Sequence, residues 1–361
     1  MTRKTPRLEI DLAKIGHNVR KLIELYGAKG IKTFMGVTKG VCADPTIAAV
    51  FKKNGISVLA DSRIPNLRRL QDAGLPGPYL LLRLPTLSEA EDVVRYADLS
   101  LNSETAVIRR LSEAALESRR VHKVVLMVEM GDLREGIMPR DLDAAVREVL
   151  SLKGVELAGI GTNLGCFGGV EADEDNMSLL SSLAEGLENK FRFKLQYVSI
   201  GCSNVFSWLK EVRETKRIDN VRVGDALLLG GRDLREHGIP GLYCDAFTLI
   251  AEVIEAKVKP SVPWGVIGLD AFGSIPKFQD RGEIRRLILN AGRQDFFFGL
   301  LHPRVDIEIL GASSDHLIAD GKSSGLEVGD EVAFDLDYGA MLVAATSPYV
   351  QKVYLNGEDS S

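Results

Sequence analysis

The stretch TFMGVTKGVCADPTIAAVFKKNGISVLADS, residues 33–62, holds one strand–helix–strand unit of the pattern that decides the fold. An apolar run ends at Lys39, Asp44 and Pro45 supply a helix start, a helical period follows, and a second apolar run ends at Asp61. Neither run alternates apolar with polar residues, so each predicts a strand that is buried on both faces. Two such strands joined by a helix predict a parallel sheet.

Eight apolar runs of this kind occur before about residue 230. They are TFMGVTK, SVLADS, YLLLR, DLSLN, KVVLMVEMG, VELAGIGTN, YVSIG and NVRVG. Segments with helical periodicity lie between them. The count, and the lack of a GxGxxG turn after the first run, favour a (β/α)8 TIM barrel of the α/β class over a doubly wound sheet. We place the barrel at residues 12–235.

The pattern changes after about residue 240. YCDAFTLIAEVIEAKVKP alternates residue by residue, and the runs up to YVQKVYLNG are separated by turn signals. This indicates a C-terminal all-β domain at residues 236–361. The opening RLEIDL also alternates, so residues 7–11 are expected to pair with this domain instead of the barrel.

Composition excludes several classes of protein. The 361 residues are 45% hydrophobic and 26% charged with a net charge of -5, and the basic residues are dispersed, so we expect no nucleic-acid partner. No apolar run is long enough to cross a bilayer, so we expect no membrane association either. The four cysteines form no CxxC pair, which argues against a zinc site or disulfide framework and favours a cytoplasmic protein without a structural metal.

Polar residues end the eight predicted strands, at the edge where barrel enzymes place their sites. In order they are Lys39, Asp61 with Ser62, Arg83, Asn102, Glu129, Thr162 with Asn163, Gly201 to Asn204, and Arg222. Two arginines, a lysine, amides and hydroxyls suit a small anionic ligand, and a turn at Ser203 offers backbone N–H groups to a phosphate. Polar strand ends are also ordinary in barrels, so Lys39 alone is equally well a solvated charge.

An ordered series of motifs resembles the alanine racemase family of pyridoxal phosphate enzymes, and within it the ornithine racemase group. The series is VTKGVCADP, ADSRIPNL, GDLREGI, GIGTNL, GCSN, VRVG, GLDAFG, GRQD, LGASSDH, DYG and TSPYV. The resemblance covers nearly the whole chain. It implies pyridoxal 5'-phosphate as cofactor, racemisation of an amino acid such as ornithine or lysine, and a homodimer.

The resemblance assigns roles residue by residue. Lys39 would hold the cofactor through its amine and carry one proton, and Arg222 would face the pyridine nitrogen. A permanent cation there limits the charge that the ring absorbs and favours reprotonation at Cα, whereas related decarboxylases carry a glutamate at that position. Ser203 and Tyr338 would bind the phosphate, and Arg134 the substrate carboxylate. From local sequence alone, Ser203 is equally well a helix cap and Tyr338 a strand aromatic, whereas an exposed loop charge is the favoured interpretation of Arg134.

The sequence departs from alanine racemase at the position that packs on the cofactor ring and at the position that supplies the second catalytic base. Asn163 stands where the family has a histidine packed on the cofactor ring. Trp264, in PWG, stands near the family's catalytic tyrosine, and an indole cannot accept a proton.

Several residues are candidates for the missing second base. They are Asp270, Asp315, His316 and Cys202, with Asp270 ranked first because it lies just beyond the displaced tyrosine. Asp270 is equally well a turn-former. Asp270, Asp295 and Asp315 are also available to pair with the ammonium group of a basic substrate, and a residue in that role is less free to act as the base.

Other functions remain open on the sequence alone. A cofactor carrier has a related barrel but no need of the β domain. A decarboxylase is disfavoured by Arg222, and a broad-specificity alanine or serine racemase fits the same motifs.

Overall fold

The computed structural model describes residues 4–231 and 238–356. The chain divides into two units, one holding Lys14–Cys244 and the other the segments to Ala13 and from Asp245. The boundary expected at residues 235 and 236 lies outside the described residues. The first strand, β1 (Arg7–Asp11), belongs to the second unit.

A closed barrel of eight parallel strands forms the first unit, as predicted. Its strands are β2 (Thr33–Val37), β3 (Val58–Asp61), β4 (Tyr79–Leu81), β5 (Leu99–Asn102), β6 (His122–Met127), β7 (Val155–Asn163), β8 (Tyr197–Gly201) and β9 (Asn220–Val223). β9 closes the ring by pairing with β2, with Asn220 opposite Thr33 and Val223 opposite Gly36. Each predicted apolar run overlaps one of these strands, and β6 begins one residue before its run.

Helices precede, connect or follow the barrel strands. They are α1 (Leu12–Gly27), α2 (Pro45–Lys53), α3 (Ile64–Asp72), α4 (Ala90–Tyr96), α5 (Thr105–Glu117), α6 (Leu142–Ser151), α7 (Glu174–Phe191), α8 (Phe206–Glu211) and α9 (Asp225–Leu229). The start of α2 shows why the local sequence folds this way. Asp44 accepts the backbone N–H groups of Thr46 and Ile47 at 3.0 and 3.2 Å, and Pro45 occupies the first turn.

Side chains from the strands fill the barrel interior. Met35, Val58, Leu101 and Met127 are among the members of this buried cluster. Because the interior is packed, a ligand site of the barrel has to lie at its carboxyl end. We call that end, where β2 to β9 finish, the mouth.

The second unit is a sheet in which β1 is an added strand. Its later strands are β10 (Phe247–Pro260), β11 (Glu283–Leu289), β12 (Leu301–Pro303), β13 (Glu308–Ala312), β14 (Leu317–Asp320), β15 (Glu331–Leu336) and β16 (Gln351–Leu355). The main path runs β12-β15-β10-β11-β14-β13. β1 pairs antiparallel with β10 and parallel with β16, and so lies in this sheet and not in the barrel.

One segment of this unit differs from the sequence interpretation. Residues Tyr338–Thr346, included in the strand pattern, form helix α10. The segment is apolar without alternation and rich in alanine, and Ala340, Met341, Ala344 and Ala345 bury one side of it. That spacing of three and four residues is helical. The domain is therefore a sheet that carries one helix.

In the part of the chain that the structure describes, no helix combines the length and the apolar character that a membrane span requires.

Candidate active site

Lys39 lies directly after β2, at the start of a 3-10 turn over Lys39–Val41, and its side chain is exposed. Among residues 4–231 and 238–356, no hydrogen bond or ion pair engages its ammonium group. The neighbouring backbone is fixed from below, because the Thr38 hydroxyl donates to the buried Asp61 carboxylate at 2.8 Å. At the mouth, the backbone next to Lys39 is therefore held in place, while the Lys39 ammonium group is exposed.

Asp61 holds the backbone next to Lys39 in place. Its carboxylate also accepts the Asn66 amide at 2.9 Å and the backbone N–H of Arg63 at 3.0 Å. Burial raises the pKa of Asp61, and these hydrogen bonds oppose the rise. The group is thus committed to holding the loops after β2 and β3, and is not available as a base.

Arg222 is the buried cation of the barrel, 2% exposed, on β9. Its guanidinium donates to the Ser199 hydroxyl, to the Thr162 carbonyl at 2.6 Å and to the Asn163 amide oxygen at 3.0 Å. Burial lowers the pKa of Arg222 to about 10, and the charge of Glu135 opposes the fall. The group therefore remains a cation at neutral pH.

Two glycines make room for this guanidinium. A Cβ on Gly161 would lie 2.6 Å from the Ser199 carbonyl oxygen and 3.0 Å from a terminal nitrogen of Arg222. A Cβ on Gly201 would lie 2.7 Å from the Asn163 amide oxygen and 3.0 Å from the other terminal nitrogen. Both distances to the oxygens are shorter than real Cβ contacts, so any side chain here would displace the cation or its partners.

Hydrogen bonds connect the buried cation to the exposed rim. Asn163 accepts from Arg222 and donates through its amide nitrogen to Glu135. Glu135, whose side chain is 13% exposed, pairs with the neighbouring Arg134 through both carboxylate oxygens. This ion pair raises the pKa of Arg134. Charges therefore alternate from Arg222 through Glu135 to Arg134.

Ser203 joins the loops after β8 and β9. It is 2% exposed and begins a 3-10 turn over Ser203–Val205. Its hydroxyl oxygen accepts the backbone N–H of Ala226 at 3.0 Å. Within residues 4–231 and 238–356 the hydroxyl hydrogen has no protein acceptor, so this group can still donate to an anion at the mouth.

Two cysteines face each other across the same loops. The sulfurs of Cys166 and Cys202 lie 3.9 Å apart. Their shared hydrogen bond lowers the pKa of Cys166 to about 6, with help from the positive charges of Arg134 and Lys39, and it raises the pKa of Cys202. All four cysteines of the chain are free thiols. At neutral pH the mouth therefore holds one thiolate beside one thiol.

Several buried polar atoms near the ends of the strands have no hydrogen-bond partner among the described residues. They include the Thr162 hydroxyl oxygen at the end of β7, the Asn102 amide oxygen at the end of β5 and the Nε of Arg83, two residues after β4. Unpartnered buried polar atoms are costly in a folded protein, so they point to a polar ligand. No group of three or more His, Cys, Asp or Glu side chains suited to a metal ion occurs in the described part of the chain.

The barrel residues that the sequence predicts come together at the mouth. Arg222, Asn163 and Arg134 belong to one hydrogen-bonded chain, and Lys39 contributes to the electrostatics of the thiol pair. Sequence reasoning missed Glu135 and Cys166. Glu135 directly follows Arg134 in GDLREG, and Cys166 stands three positions after Asn163 in the same loop, but neither position has a local signal beyond that proximity.

In the β unit, the predicted residues Asp270 and Asp315 form hydrogen bonds with residues close to them in sequence. Asp270 is exposed and its carboxylate accepts the backbone N–H groups of Phe272 and Ser274, both at 2.9 Å, which lowers its pKa. The Asp315 carboxylate accepts the hydroxyl groups of Ser313 and Ser314, both at 3.1 Å. Tyr338 is the first residue of α10. The predicted catalytic and binding roles of these residues stay predictions.

Comparison with known proteins identifies relatives over the full length. The model of the alanine racemase N-terminal domain matches residues 10–231. The ornithine racemase of Acetoanaerobium sticklandii is 41% identical over 354 residues, 97% of this chain and 99% of that protein. The lysine racemase of Thermotoga maritima is 39% identical over 351 residues, 97% of this chain and 98% of that protein.

A solved structure shows the same fold. The alanine racemase from D-cycloserine-producing Streptomyces lavendulae superposes with a TM-score of 0.75 at 19% identity, covering 99% of this chain and 98% of that one.

The space around Arg222 generates a stability prediction. We expect Gly161→Ala to destabilise the protein by about 1–3 kcal/mol, because the new methyl group meets a backbone carbonyl that cannot move freely. Gly186→Ala is the matched control, since Gly186 lies exposed in α7 with nothing within 4 Å of a Cβ, and alanine there should stabilise by about 0.5–1 kcal/mol. Urea unfolding measures both. Equal effects of the two substitutions would contradict the tight packing around Arg222.

Proposed function

This chain belongs to the alanine racemase family, and from that premise we propose that it interconverts the L and D forms of a basic amino acid, ornithine or lysine, with pyridoxal 5'-phosphate as cofactor. The observation that carries the proposal is an exposed amine, Lys39, that has no partner among the residues that the structure describes and lies at the same barrel mouth as a buried, permanently charged arginine, Arg222. The substrate class follows from the two relatives, which match both units of the chain end to end and are both named for basic amino acids.

The residues at the mouth fit this cofactor. Lys39 would hold it covalently through its amine, Ser203 would donate to its phosphate and Arg222 would face its ring nitrogen. Gly161 and Gly201 leave the guanidinium uncovered by side chains, and the unpartnered Thr162 hydroxyl offers a further hydrogen bond. When bound, the cofactor supplies an electron sink that stabilises negative charge at the substrate Cα.

Lys39 acts as a proton carrier once its amine is free. The hydrogen bond between Thr38 and Asp61 holds the backbone next to Lys39, so only the Lys39 side chain is free to move. Its ammonium group has no hydrogen-bond or ion-pair partner among the described residues, so the amine is sterically available as a nucleophile and base.

Arg222 sets the outcome of the reaction. Its cationic charge persists at neutral pH, so a nitrogen that faces it is kept from gaining a proton. The electron pair released at Cα is then drawn less strongly away from Cα, and return of a proton to that carbon becomes the main exit. Racemisation is favoured over transamination and decarboxylation.

Arg134 is placed to receive the substrate carboxylate. Its Nε and one terminal nitrogen are engaged by Glu135, and the side chain is 38% exposed at the rim. A carboxylate would bind the remaining edge of the guanidinium, and Glu135 would keep the planar group oriented. Asp270 and Asp315 remain the predicted partners of the substrate's side-chain ammonium.

We propose a homodimer in which the β unit of one chain completes the barrel mouth of the other. Support comes from the apolar surface of residues 261–282. Trp264 is 84% exposed and Leu269 71%, and Val266, Ile275 and Phe278 are also exposed. So many exposed apolar residues in one segment are unusual for a monomer and typical of a protein interface. The four free thiols suit a reducing compartment, so we also propose a cytoplasmic location.

The activity is tested by purifying the protein with the cofactor. We expect absorbance near the violet edge of the visible spectrum, and loss of optical rotation with either enantiomer of ornithine or lysine at a higher rate than with alanine or serine. Lys39→Ala should lose the absorbance and at least about 100-fold of the rate, because the tether and one proton carrier are removed together. Lys53→Ala, a lysine at the end of α2, is the control.

Other outcomes assign other functions. Absorbance without turnover of any amino acid would favour a carrier, and release of carbon dioxide would favour a decarboxylase. A Lys39→Ala variant that still bound the cofactor covalently and racemised ornithine would contradict the proposed role of Lys39.

The dimer is tested by sedimentation. We expect twice the chain mass for the native protein and a shift towards the monomer for Leu269→Asp, because a charge would be buried without a partner in the interface. Val121→Asp, at an exposed apolar position of the barrel unit, should leave the mass unchanged. A native protein that sediments as a monomer at micromolar concentration would contradict the proposal.

A further inference from the structure

We propose that Cys166 is the second proton carrier, acting on the face of the substrate Cα opposite to Lys39; this inference rests on the proposed racemase function. A racemase that uses two bases needs a group on each face that can both accept and donate a proton. Trp264 cannot fill this role because an indole only donates. The mouth itself offers a second group.

The loop that carries Cys166 is fixed by a buried carboxylate. Asp132, 2% exposed, accepts the backbone N–H groups of Cys166 at 3.3 Å, Phe167 at 3.0 Å and Val170 at 3.3 Å. Three bonds to one side chain hold the loop after β7 in one conformation. The Cys166 side chain is exposed there, so its sulfur is accessible to a ligand at the mouth.

Cys202 supports this sulfur from the other side. Its sulfur lies 3.9 Å from that of Cys166, and its single thiol hydrogen has the Cys166 sulfur, the Asn204 amide oxygen at 3.2 Å and the Leu164 carbonyl at 3.5 Å as alternative acceptors. Its own pKa is raised, so it stays a protonated donor. Cys202 is therefore a positioning residue, and Cys166 is the thiol that titrates.

Groups from three strand ends set the charge state of Cys166. Cys202 follows β8, Arg134 and Asp132 follow β6, and Lys39 follows β2. Cys202, Arg134 and Lys39 favour the thiolate, whereas burial and Asp132 oppose it, and the pKa of Cys166 falls to about 6. A group with that pKa changes protonation state close to neutral pH, as a carrier that works in both directions requires.

The proton balance of one turnover is complete with these two groups. From one enantiomer the Cα–H bond breaks, its proton goes to the Lys39 amine and the electron pair stays on Cα. The Cys166 thiol then gives its proton to the opposite face of Cα and becomes a thiolate. From the other enantiomer the thiolate takes the proton and the Lys39 ammonium returns one. Solvent exchange resets both groups between turnovers.

Two other carboxylates, those of Asp270 and Glu135, are engaged in local hydrogen bonds. Asp270 accepts two backbone N–H groups within its own turn and feels the positive charge of Arg293, so its carboxylate is a weakened base. Glu135 is held by Arg134 and Asn163 at the same time. The Cys166 sulfur, in contrast, is exposed at the mouth.

The decisive experiment follows exchange of the Cα hydrogen with deuterated solvent, starting from each ornithine enantiomer separately. In Cys166→Ala we expect racemisation in both directions to fall by at least about 100-fold, and exchange to be lost from one enantiomer only, because Lys39 still serves the other. Absorbance checks that the cofactor remains bound. Cys166→Ser provides a second variant of nearly native size, and Cys244→Ala is the matched control that should exchange both enantiomers as the native protein does.

A second readout needs no cofactor. In the cofactor-free protein, the rate at which iodoacetamide alkylates Cys166 should rise with pH around a midpoint near 6, the pKa of its thiol. In Cys202→Ala the midpoint should move upward, because the hydrogen bond that favours the thiolate is lost. An unshifted midpoint would contradict the role of Cys202.

The outcomes separate this inference from the proposed function. No exchange by the native protein with ornithine or lysine would overturn the racemase itself. Native exchange together with unchanged exchange of both enantiomers by Cys166→Ala would overturn only the role of Cys166, as would loss of both with the cofactor still bound. Loss of exchange from one enantiomer in Asp270→Asn, but not in Cys166→Ala, would assign the carrier to Asp270.

Discussion

The site depends on a guanidinium that is buried and yet fully charged. Removing a cation from water is costly unless hydrogen bonds replace the lost hydration. The Ser199 hydroxyl, the Thr162 carbonyl and the Asn163 amide provide them, and Gly161 and Gly201 keep side chains away. These acceptors lie on β7 and β8, whereas Arg222 lies on β9. One side chain thus joins three strand ends and directs a permanent positive charge into the mouth.

From Arg222 to the rim, positively and negatively charged side chains alternate along a chain of hydrogen bonds. Arg222 orients Asn163, Asn163 binds Glu135, and Glu135 holds Arg134 at the rim, where its cation favours a thiolate on Cys166. Buried polar networks in which every member is satisfied are rigid and specify one arrangement. The mouth therefore offers an anion site at Arg134, which hydrogen bonds connect to the buried Arg222. It also offers a flexible amine at Lys39, whose backbone is held by Thr38 and Asp61, and an acidic thiol at Cys166, whose loop is held by Asp132.

The sequence predicts the barrel well because its strands are apolar on both faces and each carries its own helix. Lys39, Asn163, Ser203 and Arg222 could be found because strand ends have fixed positions in such a barrel. Glu135 and Cys166 could not, since they lie on loops whose paths are set by tertiary hydrogen bonds, as Asp132 sets the path around Cys166. Helix α10 was mistaken for a strand because an apolar run of nine residues has no period that separates the two.

The most direct test of this account replaces the buried charge. Arg222→Gln keeps hydrogen-bonding groups but removes the cation, so the electron pair at Cα should be drawn away more easily. With ornithine and bound cofactor, we predict slower racemisation and a higher ratio of 2-oxo acid formed to substrate racemised, whereas Arg217→Gln, which changes an arginine paired with Glu188 and Asp219, should keep the native ratio. A ratio in Arg222→Gln equal to that of the native protein would contradict the account.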